Sequence, residues 1–289
     1  MPASQSSNEN AVVTADSPTG QPLIFRFLAV LLLVAIGSGV AVGFVAWDTA
    51  GEALEAATRD QLKTARAIKG RMIGDYFRTV EHEVSVLAML PQTSEAIETF
   101  ERIFKGLEET DASVAEAKMQ DFISNVFMAK YASETGNRLP AASVMANRPA
   151  SLAVQAAYLA DNPNPLGSKH LFESSGSLPD YDRAHERFHP IFRELLKTFG
   201  YYDIFLVDRT GEIIYSVYKE TDFGTNLLSG PFKNSGLADS VRGSLEARSS
   251  NAFAFADFST YTPSYEAPAA FVSRPVYAGE TLVGVVAVQ

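Results

Sequence analysis

The stretch that decides the fold is Gly200-Tyr-Tyr-Asp-Ile-Phe-Leu-Val-Asp208, then Arg-Thr-Gly211, then Glu212-Ile-Ile-Tyr-Ser-Val-Tyr218. Before Gly200 the apolar residues recur every three or four positions. After it they run together or alternate, which is the period of strands. Tyr202–Val207 reads as a strand buried on both faces, 208–211 as a turn, and Glu212–Tyr218 as the returning strand. Asp222–Leu227 is a loop, and Asp208 and Asp222 read as turn formers. Asn234 or Ser235 caps a short helix with Leu237, Val241 and Leu245 on one face. Three more strands are expected at Asn251–Phe258, Ala269–Tyr277 and Thr281–Val288. Two strands, a helix and three strands predict an α+β fold, with one five-stranded antiparallel sheet and a helix on its face.

Immediately upstream, Pro179 opens and Gly200 stops a helix with Tyr181, Ala184, Phe188, Phe192, Leu195 and Phe199 on its apolar face. This helix contains His185-Glu186-Arg187-Phe188-His189. The pattern matches H-E-x-x-H, in which two histidines one turn apart bind zinc and the glutamate is a general base. Three features argue against a protease. Pro190 follows directly and disfavours helical geometry at His189. The extended motif asks for Gly and His where this chain has Phe192 and Leu195. A third ligand from Glu212 or Glu220 would come from the expected hairpin rather than a second helix. A membrane-anchored zinc hydrolase is therefore the secondary reading. Tyr181, His185, His189 and Arg193 also recur every four residues, as one polar stripe. Such a stripe can face a ligand cavity, bridge to the next domain, or pack half-exposed against a loop.

Further upstream, helical patterns cover Ser94–Leu107, Ala112–Tyr131 and Ser151–Leu159. A loop lies at Gly136–Pro140, and Asp161-Asn-Pro-Asn-Pro-Leu-Gly167 is a turn cluster. Between Thr49 and Leu90 there is no proline, and Pro91 ends the run. Leu62, Ala65, Ile68, Met72, Tyr76, Val80, Val84 and Leu87 fall at helical spacing with charges on the other faces. This is one amphipathic helix, either a transmitter of shifts to the membrane or a stalk that sets height. Phe27–Trp47 is 21 residues without a charge. Such a helix spans roughly 31 Å, the thickness of a bilayer core. No small-x-small cleavage site follows, so a signal anchor is expected rather than a removed leader. Gly39 and Gly43, with Ala35 one turn earlier, allow close helix pairing. The expected organisation is a disordered cytoplasmic tail (1–26), a transmembrane helix (27–47), a long signalling helix (48–90), a helical region (91–199) and the sheet module (200–289). The long region that follows the anchor is placed outside the cytoplasm.

Composition narrows the function. The 289 residues carry 24 Lys+Arg against 34 Asp+Glu, a net charge of −10, which argues against a nucleic-acid partner. The chain has no cysteine, which excludes thiol catalysis and cysteine metal sites. No G-x-S-x-G, P-loop or Rossmann fingerprint is present, so neither an enzyme nor a cofactor is expected of this stretch.

The segment Gly200–Gln289 resembles the membrane-distal, PAS-like module of a double-Cache sensory domain. Such domains form the extracytoplasmic part of bacterial chemoreceptors, sensor histidine kinases and receptor-type nucleotide cyclases. The residues that carry the likeness are Gly200–Asp208, Ile214–Glu220, Asp222-Phe-Gly-Thr-Asn-Leu227 and Pro268-Ala-Ala-Phe271. Asn162-Pro-Asn-Pro-Leu-Gly167 and the Tyr181, His185, His189-Pro190 pattern resemble one subgroup. The resemblance implies a small-molecule ligand held between sheet and loops, a homodimer and a membrane-coupled signal. It also implies a second module, a second span and an output domain after Gln289. The amino-acid-binding version has an Arg-x-Trp-Tyr element where this chain has Phe199-Gly-Tyr-Tyr202, so an amino-acid ligand is not implied. The candidate ligand-binding residues are Tyr202, Asp203, Tyr215, Lys219, Asp257, Tyr261 and Arg274, with His185 and His189. Lys219 and Arg274 are the expected anion partners, and Asp257 and Tyr261 the expected loop-proximal pair.

Overall fold

A computed structural model describes residues 22–247 and 249–289, as two compact units that divide between Met72 and Ile73. Most of the expected tail lies outside the described residues. The architecture is α+β, a long N-terminal helix followed by shorter helices and a five-stranded antiparallel sheet.

Helix α1 (Leu23–Met89) runs unbroken through the residues expected to form the span and the helix joined to it. Among the described residues it is the one helix long and apolar enough to cross a membrane. Within the first unit the large apolar side chains from Leu23 to Trp47 are all exposed, leaving the whole circumference uncovered by protein. The amphipathic stripe divides in two. Val80, Val84 and Leu87 are buried in the second unit's core, whereas Leu62, Ile68, Met72 and Tyr76 stay exposed.

Pro91 follows α1 and opens α2 (Pro91–Leu107) in its first turn, where a missing N–H has no helical partner to lose. Helix α3 (Ser113–Phe122) passes through a π-helical turn, Ile123–Phe127, into α4 (Met128–Thr135). Helix α5 (Pro149–Gln155) likewise widens into a π turn at Ala156–Ala160. Helix α6 (Pro179–Phe199) continues through Pro190, contrary to the expectation that the proline distorts it at His189. Pro190 is exposed, while Phe188, His189 and Phe192 anchor the helix on both sides of the missing hydrogen bond. Gly200 ends α6 at φ 76°.

The strands are β1 (Ile204–Asp208), β2 (Ile213–Ser216), β3 (Ala254–Tyr261), β4 (Ala267–Ala278) and β5 (Thr281–Val288), in the order β2-β1-β5-β4-β3. Between β2 and β3 lies α7 (Gly236–Glu246), capped by the Ser235 side chain, which accepts from the Ala238 N–H. The register sorts residues between the two faces. Tyr215, Leu206, Val286 and Arg274 form one cross-strand row, and Ser216, Phe205, Ala287 and Ser273 the next. Directly paired residues share a face and successive residues alternate. Tyr215 stacks on Phe100 of α2 at 5.3 Å. Ser273 hydrogen-bonds Ser240 and Ser244 of α7. Helices α2 and α7 therefore cover opposite faces. At Gly284 of β5 a Cβ would lie 2.2 Å from the Val207 carbonyl oxygen, so only glycine lets β5 meet β1 there.

Candidate functional site

Four of the nine candidates meet in one buried cluster where α6 crosses the edge strand β2. His185 and His189 stack at 4.2 Å, Tyr215 reaches across from β2, and Lys219 follows in the loop after it. His189 Nε2 lies 2.7 Å from the His170 carbonyl, and its Nδ1 lies 2.7 Å from the Tyr215 hydroxyl. A carbonyl only accepts, so Nε2 carries the proton and Nδ1 accepts from Tyr215. His185 Nδ1 donates to the Glu173 carbonyl at 2.7 Å, which leaves Nε2 as a buried acceptor without a protein partner. Burial, reinforced by the nearby Lys219 charge, pushes both imidazoles well below their usual range and holds them neutral. Three of the four ring nitrogens are committed to protein groups and Glu186 is exposed. The three residues of the H-E-x-x-H pattern are thus not arranged as a metal ligand pair with a general base.

Lys219 is 1% exposed and adopts φ 56°, the left-handed region. Its Nζ donates to the Ser216 carbonyl at 3.0 Å and lies 5.0 to 6.0 Å from the centroids of Tyr215, Tyr158 and Phe223. The aromatic faces support a cation, but burial still pulls the ammonium down to about 7. Tyr158 stands on the Ala156–Ala160 π turn and donates to Asp182, which also accepts from the N–H groups of Ser175 and Leu178. Periodicity marked Tyr158 and Asp182 only as helix residues.

A second cluster lies on the same loop. Glu220 accepts from the hydroxyls of Tyr202 at 2.7 Å and Ser264 at 2.8 Å, and burial lifts its carboxyl to about 8. Asp222 accepts from the Tyr261 hydroxyl, and burial lifts it to about 6. Asp222 was expected only as a turn former. Its backbone carbonyl does close a turn to Thr225, while its carboxyl is buried against Tyr261. Asp203 has a structural part: Oδ1 accepts the backbone N–H groups of Ile204, Val217 and Tyr218 at 2.7 to 3.0 Å. Burial raises it far above the carboxylate range in spite of those bonds.

Two expected members stand apart. Asp257 sits in mid-strand rather than at its end, because β3 runs on to Tyr261 instead of stopping at Phe258, and it is exposed beside the bulge between Ala256 and Ser259. Arg274 shares a face with Tyr215 but is three strand spacings away, roughly 14 Å. It lines instead a surface groove with Arg78, His82 and Glu83 of α1.

Between the loop and the helices is a cavity of about 10 Å³, lined by Lys219, Glu220 and Thr221 and by Phe122, Phe127 and Tyr265. That volume is about one water molecule. The turn Tyr265–Glu266 beside it has two consecutive left-handed residues, at φ 57° and 61°.

No protein-family description and no curated protein matches this chain. A solved structure with detectable similarity is the sensor domain of the histidine kinase DctB from V. cholerae. The match is 18% identical, covers 46% of this chain and 45% of that one, and has a TM-score of 0.27. Similarity at that level establishes neither a shared fold nor a shared function.

Proposed function

We propose that this chain is the sensing region of a bacterial transmembrane receptor, which binds a small molecule beside the 219–222 loop and passes the change to α1. The observation that carries this reading is the composition of the core at the β2 edge. A stable scaffold alone has no use for a fully buried lysine, a bare imidazole acceptor and a left-handed backbone turn in one place. The strand order and the continuous helix from the apolar run into the sheet-bearing unit support it. So does the motif resemblance to Cache sensors. In this reading the apolar run lies in the inner membrane, the second unit lies outside the cytoplasm, and the catalytic or chemotactic output belongs to other segments. The exposed stripe Leu62, Ile68, Met72 and Tyr76 favours a homodimer paired along α1.

Thermal unfolding of the detergent-solubilised chain against a metabolite panel tests the reading. One or more compounds should raise the midpoint by several degrees, and substitution of Lys219 by Gln should abolish that rise. A panel of organic acids, amines, sugars and metal ions that leaves the midpoint unmoved would sink it.

A further inference from the structure

Arg274 stands on β4, on the face of the sheet that α2 covers, and is 6% exposed. Among the described residues it forms no ion pair and no hydrogen bond, and its Nε is sealed from solvent without an acceptor. A lysine so placed can shed its proton, but a guanidinium cannot, so the charge stays. Arginines are almost never this buried without a paired anion. With Nε sealed, the terminal Nη groups are the part of the side chain that reaches the groove beside α1.

The helix side of that groove is a single stripe. Arg78, Glu81, His82 and Ser85 fall at i, i+3, i+4 and i+7, so they share one face of α1. Arg78 is already paired with Asp75. Neither the His82 ring nor the Ser85 hydroxyl has a hydrogen-bond partner among the described residues. Glu83 also lines the groove, and one of its oxygens accepts from Tyr201 at 2.7 Å. No described cation lies within 4.0 Å of the Glu81 or Glu83 carboxylate. A groove of about 720 Å³ thus brings together an unanswered guanidinium, two uncommitted donors and two unpaired acids.

From this combination we propose that the groove between α1 and β4 is a binding site for inorganic phosphate in a protonated form. The planar guanidinium of Arg274 takes two phosphate oxygens, as its geometry favours. Ser85 and His82 donate to the remaining oxygens, and a carboxylate of Glu83 or Glu81 accepts the P–OH proton. The acids decide the ligand class. They repel an anion that can only accept, such as sulfate or a carboxylate at neutral pH, and they welcome one that still has a proton to give. Inorganic phosphate keeps such a proton at neutral pH, whereas a phosphate monoester has largely lost its own above about pH 6. This goes beyond the sensing reading, because the groove shares no lining residue with the cavity at the 219–222 loop.

The test is calorimetric titration and thermal unfolding of the full chain in detergent, near neutral pH and at an ionic strength held constant with sodium chloride. The probes are the sodium salts of phosphate, sulfate, acetate and methyl phosphate. Phosphate should bind and raise the unfolding midpoint, and the other three should bind at least tenfold more weakly. Arg274→Lys keeps the charge but loses the fork, so it should weaken phosphate binding at least tenfold. Glu81→Gln with Glu83→Gln removes the proton acceptors and should bring sulfate level with phosphate. If Arg274→Lys does not fold, Ser85→Ala gives an independent reading, because losing that hydroxyl should weaken phosphate several-fold. Phosphate that does no more than chloride at the same ionic strength would overturn the proposal. So would sulfate binding as tightly as phosphate in the parent chain. Sedimentation that shows a dimer split by Arg274→Gln would also overturn it, by assigning the guanidinium to a carboxylate of a second copy.

Discussion

At the scale of the residue, the cluster shows which signals a sequence carries. The four-residue recurrence of Tyr181, His185, His189 and Arg193 was legible as one stripe, and its first three residues are buried on α6. Lys219 was legible as a cation near the second strand, but its burial and left-handed backbone were not. Tyr158 and Asp182 were hidden because both fall on helical spacing, where an aromatic reads as core and an acid as surface. Asp257 and Arg274 lie apart from the cluster for a geometric reason: one bulge and three strand spacings separate residues that share a stretch of sequence pattern. Glu220 gives a prediction here. Burial raises its folded-state value to about 8, above the ordinary 4.5 of an unfolded chain. The folded state therefore holds the proton more tightly, and this stabilisation is complete below about pH 4.5 and is lost as pH rises through 8. Glu220→Gln removes the dependence. Urea unfolding from pH 5 to 8.5 should show the variant gaining on the parent as pH rises, by on the order of 2 kcal/mol.

At the scale of the element, punctuation residues did most of the predicting. Gly200 stops α6, Ser235 caps α7, and β5 spans Thr281–Val288 as expected. The first strand starts two residues later than alternation suggested. The Asp203 side chain takes the N–H groups of Ile204, Val217 and Tyr218, while the Tyr202 N–H and the Asp203 carbonyl bond Gln289 just past the end of β5. The two π turns left no mark in the sequence, because one extra residue in a turn does not change which residues are apolar. The Ser235 cap is testable. Ser235→Ala strips an acceptor from the first turn of α7 and should cost about 1 kcal/mol in chemical denaturation. Ser235→Asp should restore most of that loss.

At the scale of the whole molecule, the apolar run and the sheet-bearing unit place their large apolar side chains differently. Residues Leu23 to Trp47 expose their large side chains as a bilayer would require, while the second unit hides its own in a core shared by helices and sheet. The apolar run itself was plain from the sequence, where 21 consecutive residues carry no charge. Replacing Val34 and Ile36 by lysine adds two insertion penalties of about 3 kcal/mol each. The variant should leave the alkali-washed membrane fraction that retains the parent. The absence of cysteine makes orientation easy to read. A single Asp180→Cys in the otherwise unchanged chain should react with a membrane-impermeant maleimide added to intact spheroplasts. Protection there, with labelling only after lysis, would place the second unit in the cytoplasm.

Three adjacent residues have a consequence for energy transfer. Tyr201 donates to Glu83 of α1 at 2.7 Å, Tyr202 donates to Glu220, and Asp203 holds the backbone at Val217 and Tyr218. Neighbouring residues thus bond both the helix and the segment around the 219–222 loop. Thermodynamic linkage makes such a grip symmetrical. If occupancy of the loop weakens the Tyr201–Glu83 bond by some factor, cutting that bond with Glu83→Gln must change occupancy by the same factor in return. On the proposed sensing reading, a substitution on a helix that does not line the cavity becomes a dial for ligand affinity, and the helix end of the chain sets the threshold at which the loop end responds.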